Sequence, residues 1–132
     1  MLQIPKPVYA QMLSHLESAY PKEGCGILAG RGSRVTTWYP MANTENSPVS
    51  YLMSPKEQLQ VMKQMREDRV DMLAIVHSHV ASAAYPSSHD VAMAFYPDVA
   101  YIVVSLANRA RPEAKSFLIR DGKISEDGLQ VT

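Results

Sequence analysis

MLAIVHSH, residues 72–79, joins five consecutive apolar residues to two histidines that a single serine separates. A short apolar run of this kind predicts a strand that is buried on both faces. Because side chains two positions apart on a strand point to the same face, His77 and His79 should project together from its carboxyl end. Folds of the α/β type often bind ligands at that end. From these residues alone, a metal-binding pair and a polar, hydrogen-bonded strand end are both open.

A carboxylate follows the two histidines at a distance that a returning helix can bridge. Asp90 lies eleven residues after His79, in the first turn of a helix predicted over Ser88–Tyr96. Two histidines and one carboxylate, with a fourth position left for water, form the ligand set of a catalytic zinc ion. The same segment fits a capping box, in which Ser87 and Asp90 serve only the helix N-terminus. The two interpretations are compatible, because a capping residue can also orient a ligand.

The rest of the chain predicts two more helices and several strands around this segment. Apolar residues that recur every four positions predict a first helix over Val8–Tyr20, ended by Pro21. A second helix begins at SPKE, residues 54–57, which has the spacing of a capping box. Predicted strands cover residues 25–29, 34–39, 99–106 and 115–120, with turns at Gly30–Gly32 and Asp121–Gly122. This order predicts an α+β fold in which helices pack on a mixed β-sheet.

Composition excludes several function classes. A chain of 132 residues has the size of a single domain, which we place at 1–132. Its 13 Lys and Arg balance its 13 Asp and Glu, and this disfavours a nucleic-acid-binding protein, since affinity for phosphates needs clustered cations. No apolar run approaches the roughly 18 residues that span a bilayer, so we expect no membrane insertion.

The N-terminus and the single cysteine bear on the compartment. The first residues, MLQIPKPVYAQML, lack the basic and apolar regions of a signal peptide. One cysteine permits no internal disulfide and no zinc site made of cysteines. We therefore expect a cytoplasmic protein. Cys25 itself lies in a short apolar run, which is more typical of a buried, inert thiol than of a nucleophile.

Glu23 is a third candidate for the chemistry. Hydrolysis at zinc needs a carboxylate that accepts a proton from water without being a ligand. Glu23 precedes Gly24-Cys25-Gly26 and is distant in sequence from the histidines. Composition alone favours a solvated turn residue at this position.

The spacing of these residues resembles the JAMM motif of the JAB1/MPN/Mov34 metalloproteases. That motif joins a Glu to H-[ST]-H-P and S-x-x-D, and this chain has Glu23, HSH at 77–79 and SSHD at 87–90. YPKEGCGILAG at 20–30 and YPDVAYIVVSL at 96–106 resemble small prokaryotic members, so the resemblance runs from about residue 8 to residue 125. Val80 departs from the pattern, because it stands where the family usually has Pro.

The resemblance implies a fold and a set of roles. The fold would be a cytidine-deaminase-like α/β/α sandwich, with the mixed sheet flanked by helices. His77, His79 and Asp90 would bind Zn²⁺, and a zinc-bound water would be the nucleophile. Glu23 would act as general base, and Ser87 would donate a hydrogen bond to the oxyanion. The substrate would be a peptide or isopeptide bond after the C-terminal Gly-Gly of a ubiquitin-like sulfur-carrier protein.

Two alternatives come from the same fold. Some family members have lost the metal ligands and serve as non-catalytic MPN scaffolds that only bind partners. Base and nucleoside deaminases need a C-x-x-C ligand pair, which a chain with one cysteine cannot provide. For the hydrolase, we expect an accessible sheet edge near the histidines, on which the extended carrier tail pairs through main-chain hydrogen bonds.

Overall fold

Eight strands and three helices make up the computed structural model, which covers residues 1–132. The strands are β1 Leu2–Ile4, β2 Cys25–Arg31, β3 Arg34–Met41, β4 Asp71–His79, β5 Ala100–Ser105, β6 Glu113–Arg120, β7 Lys123–Asp127 and β8 Leu129–Val131. The helices are α1 Lys6–Ala19, α2 Pro55–Asp68 and α3 Ser88–Ala92. All strands join one mixed sheet in the order β7-β6-β5-β4-β2-β3-β1-β8, so the predicted mixed sheet is confirmed.

Strand β4 carries both histidines in the interior of the sheet. It runs antiparallel to β2 and parallel to β5, and His77 lies between Cys25 and Val103 in the two registers. The apolar run predicted to be a buried strand is confirmed. The strand is longer than predicted, because it includes His77 and His79 instead of ending before them.

The two faces of the sheet bury separate hydrophobic clusters. On one face α1 packs through Val8, Met12 and Leu16 against residues that include Ala74 and Val76 of β4. On the other face Met65 of α2 and Val91 of α3 pack with Ile75 and its neighbours. The molecule therefore has three layers, α/β/α. Since side chains alternate along a strand, His77 and His79 share the face of Ile75, beneath α2 and α3.

Two hairpins connect neighbouring strands, and one of them differs from its prediction. The turn at Asp121–Gly122 is confirmed, with positive φ at both residues. The turn placed at Gly30–Gly32 is wrong, because β2 continues through Arg31 and the turn lies at residues 32–33. Gly30 belongs to the strand, where a Cβ would come within 1.9 Å of the Arg34 carbonyl oxygen. Close backbone approach at a register shift, and not a turn, requires glycine there.

Two helix predictions also need correction. The N-cap Ser54 accepts a hydrogen bond from the Glu57 amide, but the Glu57 side chain does not complete the box. Its Oε1 instead accepts a 2.7 Å hydrogen bond from the Ala42 amide. Helix α3 ends at Ala92 and not at Tyr96. The Tyr96 amide donates to the Tyr101 hydroxyl, and proline at the next position disfavours helical backbone at Tyr96.

The sheet edges lie far from the histidines. The two edge strands are β7 and β8, whereas β4 has neighbours on both sides. The expected accessible edge beside His77 and His79 is therefore wrong. Strands β1 and β8 were not predicted, because each has only three residues, too few for an alternating pattern to be distinguished. None of the helices has the length and apolar character that a bilayer-spanning helix requires.

Candidate metal centre

Three side chains place their ligating atoms in one small triangle. His77 Nε2 lies 3.1 Å from His79 Nε2. Asp90 Oδ2 lies 3.1 Å from the first nitrogen and 3.0 Å from the second. All three residues are buried, and together they form a group that could hold a metal ion. The structure thus brings together the three residues that the sequence predicted as ligands, and their role as zinc ligands stays a prediction.

Helix α3 positions Asp90 through its N-terminal cap. Ser87 is the N-cap residue, and its Oγ accepts a 3.1 Å hydrogen bond from the Asp90 amide. In return the Ser87 amide donates to Asp90 Oδ2 at 2.8 Å. That oxygen is the one that faces both histidines. The capping box and the ligand interpretation therefore describe the same geometry, in which the cap fixes the carboxylate against the histidine pair.

The loop between β4 and α3 is fastened to the end of β5. The Leu106 amide donates to the His79 carbonyl at 2.8 Å, and the Ser105 hydroxyl donates to the Ser82 carbonyl at 2.6 Å. The amide of Val80 donates to no protein acceptor. Proline has no amide hydrogen, so it would donate no hydrogen bond at this position either. The valine therefore leaves the hydrogen bonds the same as with the proline that the family usually has. The contacts of Ser105 and Leu106 hold the loop instead.

Hydrogen bonds alone do not satisfy the lone pairs of the three donor atoms, whereas a bound cation would. His79 Nδ1 lies 3.0 Å from the Ala83 carbonyl oxygen, which can only accept, so Nδ1 carries the proton. In neutral His79 the lone pair of Nε2 then faces the Asp90 carboxylate. A tetrahedral zinc ion about 2.0–2.1 Å from each donor places the donors roughly 3.3 Å apart, close to the separations observed. The carbonyl that orients His79 is the kind of outer partner that zinc-binding histidines use.

Burial and mutual contact set the charges in the triangle. Burial opposes ionisation of Asp90, but the contacts of its carboxylate with His77 and His79 outweigh burial and keep the pKa of Asp90 well below its usual range. Burial lowers the pKa of His77, which favours the neutral imidazole. A carboxylate and neutral imidazoles are the forms that bind metal. Burial also lowers the pKa of His79, but its contacts with Asp90 and the Ala83 carbonyl outweigh burial and raise that pKa, so a cation would compete with a proton for His79.

Glu23 is buried beside the triangle and is not a solvated turn residue. Only 4% of its surface is exposed, and its Oε1 has no hydrogen-bond partner. Burial raises the pKa of Glu23 to about 7, opposed by His79 and reinforced by Asp90. Gly24, the next residue, is hydrogen-bonded to Ser78 of β4 through both its amide and its carbonyl, which places Glu23 against the strand that carries the two histidines. A buried acceptor without a partner is costly, and such groups are typical of catalytic positions.

The hydroxyl of Ser87 has a free hydrogen at the edge of the centre. Its Oγ accepts from the Asp90 amide but donates to no protein acceptor. The residue is exposed, so the hydroxyl can donate to a bound ligand. This is compatible with the oxyanion role that the sequence resemblance implies, which stays a prediction.

Two further side chains complete the surroundings. Cys25 is fully buried, and burial raises the pKa of its thiol to about 12, so the thiol is protonated and inert as expected. Tyr51 was not predicted, and its ring stacks on His77 with 4.5 Å between centroids and 19° between planes. It lies in a segment without a periodic pattern, so no sequence signal places it at the centre.

Comparison with known proteins identifies the family. The model of the prokaryotic homologs of the JAB domain matches residues 5–120. The chain belongs to this family. Among solved structures, protein DSY2949 from Desulfitobacterium hafniense superposes with a TM-score of 0.92 at 38% identity, covering 100% of this chain and 93% of that one. AF2198, a JAB1/MPN domain protein from Archaeoglobus fulgidus, superposes with a TM-score of 0.62 at 19% identity, covering 99% of each chain. The expected fold is confirmed.

Relatives within this JAB family are peptidases. The CysO-cysteine peptidase of Mycobacterium tuberculosis is 40% identical over 122 residues, 91% of this chain and 84% of that protein. A probable TtuB-protein conjugate cleaving protease of Thermus thermophilus is 31% identical over 124 residues, covering 93% and 79%. The desampylase of Pyrococcus furiosus is 30% identical over 125 residues, covering 93% and 86%. The chain is accordingly a hydrolase of the JAMM type.

Proposed function

We propose that the chain is a zinc-dependent hydrolase that cleaves a peptide or isopeptide bond directly after the C-terminal Gly-Gly of a ubiquitin-like sulfur-carrier protein. The observation that carries the proposal is the buried triangle of His77, His79 and Asp90 donor atoms beside the unpartnered carboxyl group of Glu23. The substrate class is supported by the named relatives, which are peptidases of CysO-cysteine and of TtuB-protein conjugates.

Each residue has a role that follows from its surroundings. His77, His79 and Asp90 would hold Zn²⁺, which when bound acts as a Lewis acid and lowers the pKa of water from 15.7 to about 7. Glu23 accepts a proton from the attacking water, whose oxygen bonds to the glycine carbonyl carbon. As the C–N bond breaks, Glu23 returns that proton to the leaving amine. Its pKa of about 7 favours both transfers at neutral pH.

The Ser87 hydroxyl complements these steps on the carbonyl oxygen. Negative charge develops there as water adds, and the exposed hydroxyl of Ser87 has its hydrogen free. A donor that meets developing charge typically contributes about 10²–10³ in rate. The capping box fixes the Ser87 backbone against Asp90, so the donor is held in place before substrate binds.

An apolar hollow beside the centre supports binding of an extended tail. The hollow has a volume of about 140 Å³ and is lined by one polar and eight apolar residues: Gln58, then Tyr51, Leu52, Met53, Ile75, Met93, Phe95, Tyr96 and Tyr101. Tyr51 connects the hollow to the metal centre, because its ring also stacks on His77. Pockets for whole small-molecule ligands have about 300–1,000 Å³, so this hollow fits one apolar side chain of the tail. Glycines next to it lack a Cβ and can approach the centre closely.

The test uses carriers that differ only at the proposed recognition point. Zinc-loaded protein is incubated with carriers extended by one or more residues after Gly-Gly, and with matched carriers that have Ala-Ala. We expect release of the extension from the first set only. Equal cleavage of both sets, or of unrelated unfolded peptides, would make the protein a general peptidase. Binding of carriers without cleavage of any would support the scaffold alternative.

A further inference from the structure

The side chain of Asn43 uses its full hydrogen-bonding capacity beside Glu23. Its Nδ2 donates to the Glu23 carbonyl at 3.0 Å and to the Ser50 carbonyl at 2.9 Å. Its Oδ1 accepts from the Glu45 amide at 3.0 Å and from the Leu52 amide at 3.1 Å. An amide side chain offers two donor hydrogens and two acceptor lone pairs. All four are therefore engaged, and all four partners are backbone groups.

This pattern of partners can be met only by asparagine. The two carbonyls require donors and the two amides require an acceptor, which also fixes the orientation of the Asn43 amide group. Aspartate would have no hydrogen for the Glu23 and Ser50 carbonyls. Serine has a single donor hydrogen, and glutamine is longer by one methylene.

The segment of residues 42–53, here termed the 42–53 loop, holds the backbone of Glu23 from both sides. The Glu23 amide donates to the Ser47 carbonyl at 2.8 Å, and the Glu23 carbonyl accepts from Asn43. The loop is closed by a bridge between Asn43 and Met53. Neither polar backbone group of Glu23 bonds to the sheet, whereas both of those of Gly24 bond to Ser78 of β4. The loop therefore fixes Glu23 itself, on one side of a residue that the sheet holds.

Asn43 also connects Glu23 to the part of the loop that contacts the histidines. Its bonds to Ser50 and Leu52 flank Tyr51, whose ring stacks on His77. One side chain thus fixes the backbone of the proposed base relative to the residue that covers a proposed ligand. Since the Glu23 side chain has an unpartnered Oε1, its position depends on these backbone contacts.

We infer that Asn43 is a positioning residue that holds Glu23 at the metal centre. The inference rests on the proposed function for its catalytic meaning, and on the hydrogen bonds alone for its structural meaning. It assigns the 42–53 loop, which lies outside the motif residues, a part in aligning the proton acceptor. A displacement of about 1 Å in such a group can lower the rate about 10²-fold.

Three variants test the inference in the zinc-loaded protein. Asn43→Asp keeps the acceptor for Glu45 and Leu52 but removes both donors, and Asn43→Ala removes the whole side chain without adding charge. Thr44→Val is the matched control, because it removes a hydrogen bond from the same loop, Thr44 Oγ1 to the Leu52 carbonyl, that does not involve Glu23. Zinc content, kcat and KM are measured on carriers extended after Gly-Gly, and amide hydrogen exchange is measured at Glu23 and along β4.

We expect both Asn43 variants to retain zinc, to lose about 10–10² in kcat with little change in KM, and to exchange the Glu23 amide faster. Thr44→Val should leave kcat and exchange at Glu23 unchanged, and β4 should stay protected in all three. Unchanged exchange at Glu23 in both Asn43 variants would overturn the inference, as would faster exchange with an unchanged kcat. If the wild-type protein cleaves no carrier, the proposed function fails, and exchange at Glu23 still decides whether Asn43 holds this residue.

Discussion

The two halves of the candidate site differ in how their polar atoms are held. In the ligand half, Asp90 Oδ2 faces two imidazole nitrogens and a backbone amide, and His79 is oriented by the Ala83 carbonyl. In the base half, the carboxyl oxygen Oε1 of Glu23 has no partner. The ligand half lies on a central strand and a capped helix, whereas the base half depends on the 42–53 loop.

The difference indicates that one half binds the metal and the other transfers protons. Asp90 and His79 are oriented by backbone partners, which prepares their donor atoms to bind a cation. His77 Nδ1 has no hydrogen-bond partner, and the ring of His77 is held by stacking on Tyr51. A buried carboxyl group without partners is destabilising for the fold but reactive, because its proton affinity is raised. Changes in the ligand half should therefore abolish metal binding, while changes in the base half should spare the metal and alter the chemistry.

The largest effect is expected in the ligand half. Asp90→Ala removes the oxygen that both histidines face, so we expect zinc to be lost and activity to fall to background. The matched control is His89→Ala, the neighbouring histidine, which is exposed and should keep a full complement of zinc. Metal analysis after dialysis of zinc-loaded protein measures both. Full zinc retention in Asp90→Ala would place the metal elsewhere.

In the base half we expect lost chemistry with retained metal. Glu23→Gln keeps the size of the side chain but cannot accept a proton, and general bases contribute about 10²–10⁴ in rate. Turnover of a Gly-Gly-extended carrier should fall by that factor at unchanged zinc content. Cys25→Ser should stay active, since its thiol is buried and protonated. Normal turnover of Glu23→Gln would remove Glu23 from the mechanism.

Above its pKa, Glu23 should lower the stability of the fold, although the proposed activity requires it. Burial raises the pKa of Glu23 from 4.5 to about 7, so the folded chain binds more protons than the unfolded chain between these values. Stability therefore falls as pH rises through this window and stays lower above it. In metal-free protein, Glu23→Gln should melt higher than wild type at pH 8 and close to it at pH 4.5. A difference in melting temperature that does not depend on pH would show that Glu23 titrates normally.

The two halves also differ in how far the sequence predicts them. His77 and His79 follow from the period of a strand, and Asp90 follows from the start of a helix, so local patterns predict that they converge. The burial of Glu23 depends on Ser47 and Asn43, which lie in a loop with no periodicity, and no local rule predicts such contacts. The same reason explains why Tyr51 was missed.

The fold shows the same division between local and long-range signals. The central strand and the turn at Asp121–Gly122 were predicted because apolar runs and turn residues are local. The short strands β1 and β8 pair with each other through contacts between the two ends of the chain. Helix α3 was predicted too long because a hydroxyl from β5 competes for the Tyr96 amide.

The smallest effect is expected where the loop of the ligand half is fastened to β5. Ser105→Ala removes the hydrogen bond to the Ser82 carbonyl and a longer one from the Ala107 amide, which should cost about 1–2 kcal/mol of unfolding free energy. Zinc affinity should weaken by about tenfold, as for other outer partners of ligands. Ser116→Ala is the matched control, because this serine is buried but its Oγ has no partner. Equal zinc affinity in both variants would show that the hydrogen bonds of Ser105 have no effect on the histidines.

X-ray absorption at the zinc edge tests the central claim most directly. In zinc-loaded protein, the account predicts nitrogen and oxygen donors at about 2.0–2.1 Å with the scattering of two imidazoles. The spectrum of Glu23→Gln should be the same as that of wild type, because Glu23 is a base and not a ligand. A sulfur donor at about 2.3 Å would assign the metal to Cys25. Either that result or the absence of imidazole scattering would contradict the assignment of His77, His79 and Asp90.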